Sequence, residues 1–464
     1  MVDRLSSAES DFLYLDTTAP SHVGQVLIFA RPDEFVAAKV VGAIAARVSA
    51  YPRYRQVVRG IPGGLGRPLW VDDQDFDLDY HVRHSALPAP GSADQLAEYV
   101  ARVCSRPLDR RRPLWECYVV EGLADDRFAV VTKVHQALVD SVASADISGL
   151  SADPAARAPK DEAWQPAPGP GRGELVGLAV SDLVRRPSSL AGTVRTGVRD
   201  LRATASTAVR SGATLLRAPR SHGDSAFAIS SVSARRYLMA DADLAAYRDI
   251  RGAMRALGRE APTIHALALT VLTGALRAWL QARGDHVRAD RAIRALVPVA
   301  VQDARGTIGS RVEPLFVDLP VGEASPLVRL HQVEFGLADQ LRARAAVRAD
   351  DLAAMSGFAA PALHLMGIRV GTSLSQRIFD LVVTNVPGPS GRMYADGVPL
   401  VATYPVLPLA SGHALAVGMT SYRGKIHHGI IADRNAVPDL AMLGPALGDA
   451  LAELHDRILR EDKA

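Results

Sequence analysis

A mixed α+β fold in two domains is what this sequence predicts, and three observations predict it. The chain has 464 residues, more than one ordinary core accommodates, so two domains of similar size are expected. In both halves short apolar runs alternate with longer segments of helical spacing, and the strands come as hairpins rather than in a steady βαβ rhythm. Between the halves, Ser151 to Arg172 is dense in Pro, Gly and Ala, the composition of a linker. The expected division is 1–170, a connecting segment 171–225, and 226–464.

Taken in order, Leu5 to Asp16 has the pattern of a short helix capped by Ser6 or Ser7. His22 to Phe29 reads as a strand, and Phe35 to Ser49 as an amphipathic helix ended by Tyr51-Pro52. After a glycine-rich turn at Ile61 to Pro68 come strands at Leu69–Val71 and Leu78–His84, then a helix from Ala93 to Cys104. Trp115 to His135 reads as a hairpin turning at Asp125-Asp126, followed by a short helix from Asp140 to Gly149. In the second half, strands are expected at 235–239, 293–300, 312–319, 381–389, 413–421 and 425–433. Helices are expected at 243–257, 263–283, 325–345, 352–372 and 443–459. The segment 263–283 is the most apolar long one and should be a core helix.

Several functions are excluded early. The net charge is only +3, and no stripe of Lys and Arg interleaved with aromatics argues for nucleic acid. The two cysteines are too few for a disulfide framework, which suits a reduced, cytoplasmic protein. The first residues lack a signal-peptide layout, and no apolar run reaches the roughly 18 residues of a membrane span. Within 174–220, Val194, Val198, Leu201, Ala205 and Val209 recur at helical spacing beside Arg195, Arg199 and Arg202. Such a basic amphipathic helix can lie on an anionic membrane surface, or it can be an interdomain helix with a solvated Arg face. Metal ligation lacks its spacing, since His427 and His428 would point to opposite faces of a strand. No phosphate-cradling loop and no nucleophile elbow occur.

What remains is the cluster His135-Gln136-Ala137-Leu138-Val139-Asp140-Ser141 at the end of the hairpin. A group that takes a hydroxyl proton near neutral pH should be a His, whose pKa lies in range. An Asp a few residues on can fix the local turn. A lone His, however, is more often structural.

Ordered motifs along nearly the whole chain resemble the bacterial wax ester synthase/acyl-CoA:diacylglycerol acyltransferase family. They are Ser21-His22-Val23-Gly24, Phe76-Asp77-Leu78 with His81-Val82-Arg83, Pro113-Leu114-Trp115-Glu116, the cluster itself, and Thr384-Asn385-Val386-Pro387-Gly388-Pro389. The resemblance implies two chloramphenicol-acetyltransferase-like domains with a central tunnel. In it acyl-CoA meets diacylglycerol or a fatty alcohol at the second His of an HHxxxDG motif, which acts as general base, with the Asp structural. It implies no metal and no tightly bound cofactor, acyl-CoA as substrate, and peripheral attachment to an anionic membrane, at the inner face, or to lipid droplets.

The sequence departs from the family at four motif positions. The general-base position is Gln136, whose amide has no accessible pKa for the task. Ser141 replaces the family Gly. His265-Ala266 stands where the family has Asn-Asp, and Ser310 where it has Asn. The expected site is therefore Gln136 at the base position, His135 as a possible substitute base, Asp140 in the motif turn, and Asn385, Gly388, His265 and Ser310 toward substrate. His265 is a second possible base. Three readings follow: an O-acyltransferase with altered chemistry, a non-catalytic homologue that binds acyl-CoA, lipid or a partner acyltransferase, and a lipid-surface scaffold.

Overall fold

The computed structural model describes residues 3–5, 9–10, 13, 22–31, 37–62, 67–141, 150–151, 153, 164–171, 173–175, 177, 227–229, 234–302, 308–346, 379–389, 391–410 and 412–462. The helices expected at 5–16 and 352–372, most of the linker, and the basic segment 194–209 lie largely or wholly outside those residues.

The first half holds β1 (Asp3–Arg4), β2 (His22–Ala30), α1 (Ala37–Ala50), β3 (Gln56–Arg59), β4 (Leu69–Asp72), α2 (Leu78–His81), β5 (Val82–Ala86), α3 (Ala93–Ser105), β6 (Trp115–Leu123), β7 (Arg127–His135) and α4 (Gln136–Ser141). The second holds β8 (Arg235–Asp243), α5 (Leu244–Ala256), α6 (Ile264–Ala282), β9 (Ile293–Gln302), β10 (Ile308–Leu319), α7 (Pro326–Ala346) and β11 (Leu381–Val386). It continues with β12 (Tyr394–Ala395), β13 (Val398–Val406), β14 (Leu415–Tyr422), β15 (Lys425–Asp433) and α8 (Leu443–Asp462).

Two six-stranded sheets organise the chain, in the orders β12-β13-β2-β7-β6-β5 and β10-β9-β11-β14-β15-β8, with a small sheet β1-β4-β3 beside the first. Both large sheets are mixed: β5 runs parallel to β6, and β11 runs parallel to β9 and β14. Strand β13 leaves the second half and pairs antiparallel with β2, from Leu400 opposite Phe29 to Val406 opposite Gly24. This crossover strand completes the first sheet and was not expected from the sequence. Pro399 and Pro405 argue against a strand, yet here the flanking residues still find partners.

Two further expectations change. Leu78 to His84 is not one strand: the Asp77 carboxylate accepts from the Asp79 amide at 3.0 Å and starts a helical turn before β5. The helix after the hairpin begins at Gln136 rather than Asp140.

The apolar core falls into layers. α6 runs through the largest, capped by Thr263, which accepts from the Ala266 amide at 3.0 Å, and anchored by Trp279 stacked on Phe227 at 5.5 Å. A second layer lies between the two large sheets. It joins α3 and the inner faces of β2, β6 and β7 to Tyr237, Leu296, Val382 and Ile431, with Ala402, Tyr404 and Val406 of β13 among them. Among the described residues no helix is long and apolar enough to cross a membrane.

Close approach of β13 to the second sheet depends on Gly429. A Cβ there would lie 1.9 Å from the Pro405 carbonyl oxygen. Gly429→Ala is expected to cost at least about 1–3 kcal/mol, read as a lower urea midpoint. An unchanged midpoint would mean that β13 does not rest on β15.

Candidate active site

The hairpin that carries the cluster turns at Asp125 and Asp126, with φ of 60° and 50°. Two successive left-handed residues are what a tight antiparallel turn requires, and Asp tolerates that region better than most side chains. β7 is thereby held between β2 and β6, and its last residue, His135, faces His22 across the ladder with ring centres 6.0 Å apart. The His135 amide donates to Leu114 O at 2.9 Å. Its ring Nδ1 accepts from the Ala137 amide at 3.1 Å, which puts the neutral ring's proton on Nε2 and makes that atom a donor.

Gln136 opens α4 and is 4 % exposed. Because the strand ends between the two residues, the rule that neighbours on a strand face opposite ways does not separate His135 from Gln136. The side chains of Asp140 and Ser310 lie outside the described residues.

The motifs before the cluster form its support. Trp115 donates from Nε1 to Tyr54 O at 2.7 Å and stacks on His81 at 4.5 Å. His81 donates from Nδ1 to Trp115 O at 2.7 Å, and burial pushes its pKa down to about 4. On the face shared with His135, two residues back, Lys133 donates from Nζ to Arg106 O at 2.6 Å and to Glu116 at 3.3 Å. Glu116 also accepts from the Tyr118 hydroxyl at 2.7 Å and pairs with Arg83 at 3.4 Å.

The structure brings two of the expected second-half residues together. Asn385, near the end of β11, and His265, on the first turn of α6, have Nδ2 and Nδ1 3.2 Å apart. Burial pushes His265 down to about 4, and its Nε2 has no partner among the described residues. Gly388 follows at close quarters, where a Cβ would lie 1.9 Å from Ser421 O and 3.0 Å from Thr420 Oγ1.

The ladders point this pair and His135 toward opposite ends of the crossover strand. Val406 of β13 is in the row of Gly24 and Lys133, two residues short of His135. Tyr404, two residues the other way, reaches Asp241, which is in the row of His427, Thr420 and Val386 beside Asn385.

That second row carries a polar cluster the sequence reading did not single out. Asp241 accepts from His427 Nδ1 at 2.8 Å and from the Tyr404 hydroxyl at 2.9 Å, and Lys425 stands 3.2 Å from its other oxygen. Burial alone would raise Asp241, but the hydrogen bonds from His427, Tyr404 and Lys425 outweigh it and hold the carboxyl down to about 2. His427 is 1 % exposed. The signal was present as alternation along β15: His427, Gly429 and Ile431 share one face.

Residues 5–257 match the family model for the wax ester synthase/diacylglycerol acyltransferase catalytic domain, and residues 308–455 match that for its C-terminal domain. The chain belongs to the wax ester synthase/diacylglycerol acyltransferase family. The probable diacylglycerol O-acyltransferase tgs3 of Mycobacterium tuberculosis is 40 % identical over 260 residues, covering 54 % of this chain and 96 % of that protein. Its namesake tgs1 from the same species is 34 % identical over 434 residues, or 89 % of this chain and 87 % of that one. The wax ester synthase/diacylglycerol acyltransferase from Marinobacter aquaeolei VT8 superposes over 98 % of this chain and 99 % of its own with a TM-score of 0.70 at 24 % identity. That likeness is one of fold, and it is the α+β, two-domain, chloramphenicol-acetyltransferase-like fold of the family.

Proposed function

We propose that this family member is an acyl-CoA-dependent O-acyltransferase that makes triacylglycerol from diacylglycerol, with fatty alcohols as alternative acceptors giving wax esters. The observation that supports it is likeness to tgs1 along 89 % of the chain, over a fold whose supporting motifs are intact. Trp115, His81 and Tyr54 interlock, and Gly388 keeps its close approach to β14. No cofactor beyond acyl-CoA enters this reading. The protein acts from the cytoplasmic side on acceptors held in an anionic membrane or lipid-droplet surface, reached by the basic segment within 171–225 that joins domains 1–170 and 226–464.

The proton is not taken at the family position. Gln136 cannot accept it, and His135 keeps its ring proton on Nε2 while Ala137 occupies Nδ1. Asp140 serves the motif turn, and Asn385, Gly388, His265 and Ser310 belong to the substrate side of the second domain. Loss of a positioned general base costs roughly 10²–10⁴-fold, so turnover slower than in relatives with the second His is expected.

Gln136 at the base position favours a second reading, a homologue that binds acyl-CoA and uses this side chain to hydrogen-bond a ligand without turnover. Purified protein with labelled palmitoyl-CoA and either dioleoylglycerol or hexadecanol separates the two. The first reading expects labelled ester from the wild type. Tight acyl-CoA binding with ester appearing only in Gln136→His would establish the second.

A further inference from the structure

Among the described residues, the buried side chains of His81, His265, His427 and His428 each leave Nε2 without a hydrogen-bond partner. Three are poor proton acceptors, because burial pushes His81, His265 and His428 down to about 4. His81 is also sandwiched between Phe76 and Trp115 at 5.4 and 4.5 Å.

His427 differs in what stands behind it. Its Nδ1 lies 2.8 Å from a carboxylate that is ionised at neutral pH and can only accept, so in the neutral ring Nδ1 carries the proton and Nε2 the lone pair. A carboxylate in that position also stabilises the imidazolium that forms when Nε2 takes a proton. Unlike His135, this ring is set in the tautomer that a base requires.

Its surroundings join the layer between the two sheets to the retained Thr384–Pro389 motif. The ring faces the layer between the two sheets, edge-on to Tyr404 of the crossover strand at 5.0 Å. Thr420 is its cross-strand partner, and the Thr420 hydroxyl meets Gly388 of the retained Thr384–Pro389 motif. Asp241 and Lys425, with side chains 32 % and 56 % exposed, form a rim through which the cluster reaches solvent. A buried, unpaired nitrogen costs free energy unless something occupies it.

We propose that the hydroxyl of the acceptor alcohol docks on His427 Nε2 and, in acyl transfer, gives its proton to that atom. The proton-transfer step rests on the acyltransferase reading; the docking does not. In the step, the alcohol oxygen bonds to the thioester carbonyl carbon as its proton passes to Nε2. The C–S bond then breaks, and the leaving CoA sulfur takes the proton back from Nε2. The products are ester and free CoA thiol, and His427 is returned neutral. Asp241 acts through His427 as a positioning residue.

The test uses the full chain labelled with ¹⁵N-histidine, the His427 signals being assigned by their loss in His427→Gln. 1-Hexadecanol and 1,2-dioctanoylglycerol are titrated in, and ester formation from palmitoyl-CoA is measured on the same samples. The expected result is a shift of the His427 Nε2 resonance saturating with either alcohol. With it, kcat should fall roughly 10²–10⁴-fold in His427→Gln, with KM for acyl-CoA retained. Asp241→Asn should move the acidic limb of the rate profile to lower pH, because Lys425 and the Tyr404 phenol around the ring supply no compensating negative charge. A shift at Nε2 without any ester from the wild type supports the docking and removes the acyltransferase reading. An Nε2 resonance unmoved by either alcohol, or His427→Gln turning over like the wild type, overturns the proposal and leaves that reading standing.

Discussion

Glu116→Gln is expected to lower the unfolding free energy by about 3–5 kcal/mol, the cost of leaving a buried charge without its partner. Lys133 and Glu116 have side chains only 1 % and 8 % exposed. Burial pulls the Lys133 pKa down, and Glu116 resists that pull. With the carboxylate gone, Nζ keeps only the Arg106 carbonyl as a strong acceptor. Tyr118, whose hydroxyl donates to Glu116, loses an ionic acceptor as well. Adding Lys133→Met should restore much of the loss, because an apolar side chain of similar length asks for no partner. Urea unfolding of both single variants and the double variant measures the coupling. Additive losses would mean that the pair is not a pair. The effect bears on function because Lys133 and Glu116 tie β7 to β6 two residues before His135.

Acidification should unfold the protein earlier than its carboxylates would, beginning near pH 6.5. His81, His265 and His428 are each held down to about 4 by burial. The unfolded chain takes up these protons near 6.5, while the folded chain refuses them until about 4. Their contribution is therefore complete above about 6.5 and is lost as pH falls from there toward 4. For His81 and His428, both fully buried, each shift corresponds to roughly 3 kcal/mol at most. Asp241 acts in the same direction in a lower window. Its contribution is present above about 4 and fades as pH falls toward 2. Unfolding at pH 5 should take up about one proton more in the wild type than in His428→Gln. A difference near zero would show that this ring is charged or exposed in the fold.

Much of the scaffold was legible because it is written in local patterns. The two apolar runs around Asp125-Asp126 form the hairpin, and the stretch from Thr263 is the core helix with Thr263 itself as cap. β13 was not legible, since its two prolines suppress the strand signal while its partner, β2, lies more than 350 residues away in sequence. The site was half legible. Motif resemblance singled out His135, Gln136, His265 and Asn385, and the last pair does meet. It could not show that His135 spends Nδ1 on the Ala137 amide, because that depends on the helix beginning at Gln136 rather than at Asp140. Nor could it assemble Asp241, Tyr404 and His427, which come from three strands and are joined only by sheet register and the crossover. The adjacent His427 and His428 read as a failed metal pair, yet their opposite faces are what give one of them a carboxylate and the other a backbone carbonyl.

The most direct test of acyl transfer to a hydroxyl is the stoichiometry between CoA released and ester formed, followed in one reaction of the wild-type chain with palmitoyl-CoA and dioleoylglycerol. Slow release of CoA is expected, with one ester made for each thiol freed. Release of CoA without ester, or no release from protein that binds the thioester, would contradict it.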